Sequence, residues 1–457
     1  MKKNKGISVF QPQSADNKTH QARWLKLFGS SRALALLGLA KQHGGPFLVI
    51  MPDARAVQLL EQELAFFTAK DNALPIHSFP DWECLPYDSF SPHQDIVSQR
   101  LLTLSRLSQL RTGIVLTTVS TIMHRLTPVD YVSSHSFQLT VGSRLDPVEF
   151  RDRLSHASYR PVSQVMEPGE YAVRGGLIDV FPMGSPKPYR IDLFDDEIDS
   201  LRSFDPQTQR SIGTLDNIEL LPAREFPLTE EGVRRFRQAF RAQFEGDPTQ
   251  TGIYHDISNG IVPAGAEYYL PLFFEQTATI FDYLPKTTTL VVDTGIEAAA
   301  GQFQAEITER FLERRHDRQR PILKPEQLFL EPDWTIAQLK SYPIIEFGGG
   351  DPAFLSQAPA INYNSSLPLP LPVDHRHASP YHLLFEYLKN SSHRCLFVAE
   401  TAGRKETLRE LLHANDISPA PINSWSDFIS SDMIIRTLIL YSFYVSFNRI
   451  LKLAIIF

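Results

Sequence analysis

Short apolar stretches decide the fold of this chain, and the clearest of them reads FLVIM at residues 47–51. Five consecutive apolar residues are typical of a strand that is buried on both faces of a parallel sheet. The pattern returns as GIVLT at 113–117 and as TLVVD at 289–293. Between the first two runs, Val57 and Leu64 recur at helical spacing. Strands that alternate with helices predict a parallel α/β domain.

The pattern changes from about residue 139, where short β patterns are broken by Gly and Pro. Residues 171–181 and 189–194 are strand candidates, with a Pro- and Gly-containing turn at 182–186 between them. This segment indicates a β-rich insert. A further apolar run, CLFVA at 395–399, is flanked by helical patterns and predicts a separate small α/β unit.

Length, charge and cysteine content exclude several classes of protein. A chain of 457 residues suggests about three domains, and a net charge of -7 argues against a protein that coats nucleic acid by bulk charge. Cys84 and Cys395 are the only cysteines, which excludes a disulfide framework and a cysteine-based zinc site built from local spacing. So few thiols suit a reducing cytoplasm.

A search for a nucleotide site finds degenerate motifs. The phosphate-binding pattern G-x-x-x-x-G-K-[ST] is absent, and its nearest approach, FGSSRA at residues 28–33, lacks the lysine. The strand at 289–293 ends in Asp293, but the glutamate that would position the attacking water does not follow it. If the fold is that of a nucleotide hydrolase, this part of the chain is expected to be inactive, and we predict no catalytic residue and no bound cofactor.

Other groupings carry little chemistry. His375 and His377 stand at i, i+2, but no further ligand is near them, and a solvated loop is the better interpretation. The carboxylates between Asp192 and Asp199 do not have the spacing of an EF-hand loop. Cys84 has no motif that pairs it with a base and is interpreted as a structural thiol. We predict no metal site.

One strand is more informative. In YRIDLF at residues 189–194, alternation places Arg190, Asp192 and Phe194 on one polar face. An aromatic ring beside arginine has the composition of an interface hot spot, and Arg174 on the preceding strand adds a second guanidinium. Two interpretations stay open: an interface, or a Phe194 packed under a neighbouring loop with solvated arginines.

At these residues the chain resembles the N-terminal part of the bacterial transcription-repair coupling factors. Four long stretches carry the likeness, at residues 79–95, 159–167, 169–185 and 189–205. It extends from about residue 15 to about residue 430.

The resemblance implies a region similar to excinuclease B: a helicase-like α/β domain with a decayed ATP site, interrupted by a β-rich domain that recruits excinuclease A. Family members couple transcription to nucleotide excision repair by removing stalled RNA polymerase and recruiting the excinuclease. The positions that match the family's contact with excinuclease A are Arg174, Arg190 and Phe194. Their arginines would meet carboxylates on the partner while the phenylalanine fills an apolar pocket.

The organisation expected from pattern and resemblance has five segments. They are a degenerate helicase-like α/β part at 1–120, the β-rich domain at 121–204, the second helicase-like part at 205–343, a small α/β domain at 344–430, and an apolar tail of non-native origin at 431–457.

The family's full chain is longer, so we expect a truncated form that keeps the recruiting module. ATP and magnesium belong to the full-length family, and RNA polymerase would bind through domains outside this sequence. We expect excinuclease A as partner, at most weak DNA binding, no membrane association and a cytoplasmic location. The alternative is a DNA-dependent ATPase or translocase that is active by itself.

Overall fold

The computed structural model of the chain describes residues 6–15, 20–68, 74–348, 354–367, 371–390, 394–399 and 401–430, and the backbone of strands at 435–439 and 453–455. The strands within these residues are β1 (Gln21–Leu25), β2 (Pro46–Met51), β3 (Ile76–Ser78), β4 (Gly113–Thr118), β5 (Phe137–Thr140), β6 (Arg160–Pro161), β7 (Glu170–Arg174), β8 (Leu177–Val180), β9 (Tyr189–Phe194), β10 (Glu197–Phe204), β11 (Ser211–Leu215), β12 (Asn217–Leu220), β13 (Thr289–Asp293), β14 (Ile344–Phe347), β15 (Ala360–Asn362), β16 (Cys395–Ala399), β17 (Ala420–Ile422), β18 (Ile435–Ile439) and β19 (Leu453–Ile455).

The α-helices of the same residues are α1 (Ser31–His43), α2 (Ala54–Thr68), α3 (Gln94–Leu107), α4 (Val119–Ile122), α5 (Val129–Ser134), α6 (Pro147–His156), α7 (Glu230–Gln243), α8 (Gly252–Ser258), α9 (Ile280–Tyr283), α10 (Ile296–Arg314), α11 (Pro325–Leu328), α12 (Pro332–Leu339), α13 (His382–Asn390), α14 (Ala402–His413) and α15 (Trp425–Ile429). Two 3₁₀ segments lie at Pro248–Gln250 and Ala266–Phe273.

The chain divides into two compact units, which are described separately. Unit 1 contains Met1–Gly44, Arg55–Pro75 and Ile345–Phe457. Unit 2 contains Gly45–Ala54 and Ile76–Ile344.

Unit 2 holds the parallel α/β sheet that the apolar runs predicted. Its strands follow the order β13-β2-β4-β3, and every neighbouring pair is parallel. All residues of β2 and β4 are buried, which explains why their sequences are continuously apolar rather than alternating. The predicted fold class, a multidomain α/β protein with a β-rich insert, is confirmed.

The β-rich insert of unit 2 is a six-stranded sheet in the order β11-β10-β9-β8-β7-β6, antiparallel except between β6 and β7. The single strand expected over 171–181 is two strands, because Gly175 turns the chain in the left-handed region at φ 63°. The insert also continues past residue 204, the boundary taken from the sequence. There β11 pairs with β10, and β12 pairs with β5.

One face of this sheet packs into the insert core. Ile178, Ile191 and Leu201 are at most 1% exposed and lie in one cluster with Phe150 and Leu154 of α6. The other face carries most of the polar side chains of β8, β9 and β10, because residues alternate along each strand.

A buried ion pair joins the insert to the α/β part of unit 2. Arg100 of α3 is fully buried, and its Nε donates to Oε1 of Glu225 at 2.6 Å. Its Nη1 donates to the carbonyl of Pro80 at 2.7 Å, and its guanidinium lies 4.5 Å from the ring centre of Phe79. Glu225 follows the last strand of the insert, so this arginine connects three segments that are distant in sequence.

A turn of the insert also packs closely on α3. Gly184 has φ 80°, and a Cβ placed on it would lie 2.9 Å from a methyl of Leu102. Glycine is therefore required here both for backbone conformation and for close approach.

Unit 1 contains two further groups of strands. In the first, β15, β1 and β14 are neighbours, and the fully buried Trp24 of β1 lies 5.4 Å from Tyr363 between ring centres. In the second, the order is β17-β18-β16-β19, which gives the small α/β domain expected around residues 395–399.

Two expected boundary features fall at the edges of the described residues. The linker prolines at 368 and 370 lie outside them. Residues 435–439, expected to belong to a non-native tail, form β18, which pairs with β16 in parallel register from Cys395 opposite Ile435.

The Arg100–Glu225 pair gives a stability prediction. Arg100→Ala leaves Glu225 buried without its partner, so the free energy of unfolding should fall by about 3–5 kcal/mol. The control is Arg144→Ala, whose 3.8 Å ion pair with Asp196 joins side chains that are 86% and 59% exposed, and it should change that energy by at most about 1 kcal/mol. Urea unfolding measures both, and equal losses would contradict the assignment.

His124 gives a prediction about pH. Burial, helped by Arg100 and opposed by the carboxylates of Asp81 and Glu225, lowers the pKa of His124 to about 4. The unfolded chain binds this proton near pH 6.5, so stability is complete above that pH and is lost as the pH falls towards 4.

Between pH 7.5 and pH 5 this single group should lower the free energy of unfolding by about 2 kcal/mol. His124→Gln should remove that part of the pH dependence, whereas His156→Gln, at an exposed position of unit 2, should keep it. Urea midpoints across this range measure the difference. An unchanged pH slope in His124→Gln would disprove the role of this histidine.

Candidate partner-binding site

Two of the three residues predicted as a site lie at one end of the insert sheet. Phe194 is the last residue of β9, and Arg174 is the last residue of β7. The register places Arg174 opposite Leu177, and Leu177 opposite Asp192, so all of them share the polar face. With neighbouring strands about 4.8 Å apart, the backbones of β7 and β9 are separated by about 10 Å.

Phe194 is the most exposed large apolar residue among the described residues, at 76% of its surface. Its neighbour Leu193 points to the core face, as strand alternation requires. The chain then turns at Asp195, which has φ 53°, and returns as β10. The alternative in which a neighbouring loop covers this ring therefore does not hold.

Arg174 is also exposed, and it is held at its base. Its Nη2 donates to the backbone carbonyl of Ser163, in the loop that precedes β7. This bond fixes the direction of the side chain while other donors of the guanidinium face solvent.

Arg190 has a different environment. Its Nε and Nη2 donate to the two carboxylate oxygens of Asp179 at 2.7 and 2.9 Å, and its Nη1 donates to the carbonyl of Gln209 at 3.3 Å. The guanidinium lies 4.8 Å from the ring centre of Phe204. The hydrogen bonds to Asp179 raise the pKa of Arg190, although partial burial acts against this.

A second cross-strand pair lies between Arg190 and the end of the sheet. Asp192 of β9 accepts from the Nε of Arg202 at 3.0 Å, from its Nη2, and from the hydroxyl of Ser200 at 2.7 Å. The polar face of β8, β9 and β10 thus carries two cross-strand ion pairs, and it ends at the exposed ring of Phe194.

Sequence reasoning missed Asp179 and Arg202. Both are ion-pair partners on the predicted face. A signal for Asp179 existed, since it is the single acidic residue in the apolar run LIDVF at 177–181. Which arginine it meets depends on the strand order, and alternation along one strand does not give that order.

The degenerate nucleotide loop has a defined structure in unit 1. Residues 28–33 lead into α1, and Ser30 is its N-terminal cap residue. The Ser30 hydroxyl donates to Oε1 of Glu63 at 3.0 Å, and Oε2 of Glu63 lies 3.8 Å from Nε of Arg32. Burial raises the pKa of Glu63, although Arg32 and Ser30 act in the other direction. A carboxylate therefore stands where a nucleotide site would present its positive helix end to phosphate.

The remaining predicted groupings show no site. Within the described part of the chain, no cluster of three or more His, Cys, Asp or Glu side chains could hold a metal ion. Burial, with smaller effects of nearby carboxylates, raises the pKa of Cys84 to about 11, as suits a structural thiol. No helix in this part of the chain is both long and apolar enough to cross a membrane.

The site lies in a recognisable domain. The family model described as UvrB interaction domain matches residues 137–226, which include the whole six-stranded sheet. A second family model, described as MFD, D3 domain, matches residues 387–447. The second match extends beyond residue 430, where the resemblance was expected to end, and it includes β18.

Whole-chain comparisons agree with these domains. The chain is 40% identical to the transcription-repair-coupling factor of Escherichia coli over 87% of its own length and 34% of that protein. Identity to the Haemophilus influenzae protein of the same name is 40% over 91% of this chain and 36% of the relative. The Bacillus subtilis protein is 30% identical over 58% of this chain and 24% of the relative.

The fold and the matched domains therefore define a multidomain α/β protein that carries a UvrB interaction domain. The resemblance to the transcription-repair-coupling factors is thus confirmed over about nine-tenths of the chain. The chain spans about a third of the length of those relatives.

The different environments of the site residues give a stability prediction. Arg190→Ala leaves Asp179, whose side chain is only 2% exposed, without its partner, and the free energy of unfolding should fall by about 3 kcal/mol. Phe194→Ala removes an exposed ring and should change it by less than about 0.5 kcal/mol. Urea unfolding of the two variants tests this, and a larger loss for Phe194→Ala would show that the ring is packed in the folded state.

Proposed function

We propose that this chain binds excinuclease A through the polar face of its β-rich insert and recruits it without hydrolysing ATP. The observation that carries the proposal is the exposed Phe194 at the same end of the sheet as the exposed Arg174, on a domain that matches the UvrB interaction domain. An exposed aromatic ring next to arginine is the composition that dominates binding energy at protein interfaces.

The chemistry of the face suggests what the partner offers. Phe194 would enter an apolar pocket, and Arg174 would meet a carboxylate at its rim. The paired charges of Arg190–Asp179 and Arg202–Asp192 leave the rest of the face polar but nearly neutral. Binding energy should therefore be concentrated at the end of the sheet.

In the cell, this binding would couple transcription to repair, the role that the relatives' name gives to them. By the resemblance, the repair is nucleotide excision repair. The nucleotide loop supports an ATP-independent role for this chain. It lacks the phosphate-binding lysine, and Glu63 takes the position next to the α1 N-terminus. A phosphate there would face a buried carboxylate of like charge. We therefore propose that this chain recruits excinuclease A by binding alone, without ATP hydrolysis.

Affinity capture of excinuclease A by the purified chain tests the proposal. Phe194→Ala combined with Arg174→Ala should weaken binding by about a hundredfold, since hot-spot truncations remove about 2 kcal/mol or more. Val148→Ala is the matched control, because Val148 is also exposed (68%) and lies on α6 of the same domain.

The control should bind like the unmodified chain. Equal binding by the double variant and the control would reject this face as the docking site. Failure of the unmodified chain to capture excinuclease A would reject the function itself.

A further inference from the structure

We infer that Arg190 is a positioning residue that acts through Asp179, and that the partner is contacted by Phe194 and Arg174 instead. The inference rests on the proposed function, since it assigns roles within the same face. It replaces the expectation that both Arg174 and Arg190 meet carboxylates on the partner.

The first reason is that three of the five N–H donors of Arg190 are already engaged. Nε and Nη2 form a bidentate pair with Asp179, Nη1 bonds to the carbonyl of Gln209, and the flat side of the guanidinium covers Phe204. Its side chain is 15% exposed. A carboxylate on a partner protein would find at most the two remaining N–H groups, on a guanidinium that is largely covered and already held by an acid.

The second reason is the state of Asp179. Its side chain is 2% exposed, so a partner that took over Arg190 would leave a buried carboxylate without compensation. Arg174 does not compensate a buried carboxylate, because its hydrogen bond is to the backbone carbonyl of Ser163 rather than to an acid. The exposed arginine is therefore the better donor to a partner.

The third reason is exposure at the end of the sheet. Arg190 lies four residues before Phe194 on β9, which is about 13 Å along an extended strand. Arg174 and Phe194 both stand where their strands end. By register Arg174 is level with Asp192, so its backbone is also roughly 12 Å from Phe194. The two arginines differ instead in exposure: Arg174 is exposed where the strands end, whereas Arg190 is enclosed by Asp179 and Phe204.

The two ion pairs explain how Arg190 could affect binding without touching the partner. Asp179–Arg190 ties β9 to β8, and Asp192–Arg202 ties β9 to β10. A slip of one residue in either pairing would turn the side chains of β9 to the opposite face. The pairs therefore hold the register in which Phe194 points outwards.

A variant that lacks the charges of both Arg190 and Asp179 distinguishes a direct contact of Arg190 with the partner from a positioning role. Arg190→Ala should weaken binding of excinuclease A by about tenfold or more, because β9 loses its tie to β8. Arg190→Met combined with Asp179→Leu replaces the buried pair by apolar groups of similar size, a change that buried pairs often tolerate. This double variant has no guanidinium at 190 and should bind within about threefold of the unmodified chain.

A second pair of variants covers the case in which the apolar pair does not fold. Exchanging the residues, as Arg190→Asp with Asp179→Arg, keeps the cross-strand ion pair but moves the guanidinium to β8, and binding should again be retained. Loss of binding in whichever of the two double variants is folded, judged by an unchanged urea midpoint, would show that Arg190 contacts the partner and would overturn the inference.

Hydrogen exchange gives a readout that does not depend on the partner. Arg190→Ala should reduce the protection of the β9 amides, and both double variants should restore it. If the unmodified chain fails to bind excinuclease A, the proposed function is wrong, but the exchange data still decide the positioning role. Unchanged protection in Arg190→Ala would overturn it.

Discussion

The buried ion pair between Arg100 and Glu225 is the constraint on which unit 2 depends. A charge at 0% exposure is tolerated only when it is paired and its remaining donors are satisfied. Arg100 meets this condition with one carboxylate, the carbonyl of Pro80 and the ring of Phe79. Because Arg100 and these partners come from three separate segments, the chain that enters and leaves the insert has to return to one place on α3. The insert is thereby fixed on the α/β sheet.

Ion pairs also fix the sheet of the insert, although they are less deeply buried than Arg100 and Glu225. There they hold the orientation of the residues at the end of the sheet. The sheet has one apolar face against α6 and one face of cross-strand ion pairs, so neither face can slip without exposing apolar groups or unpairing charges. Such a sheet presents whatever projects from its end in one orientation. What projects is Phe194, and preorganisation of this kind lowers the entropy lost when a partner binds.

The predictable part of the fold is the part set by burial alone. Strands such as β2 and β4 were evident because burial on both faces requires continuous apolar residues. The face of Phe194 followed from alternation. The partners of Arg190 and Asp192 did not, because they depend on which strands become neighbours. The hairpin at Gly175 and the extension of the insert to β12 were missed for the same reason: both are set by pairing between strands.

The loop at residues 28–33 shows how a helix N-terminus can be satisfied from within the chain. The α1 N-terminus still attracts negative charge, since the first amides of any helix lack intrahelical acceptors. In this chain Glu63 lies there, bonded to Ser30 and close to Arg32, so the charge that a phosphate would supply comes from the protein. The scaffold can then fold without nucleotide.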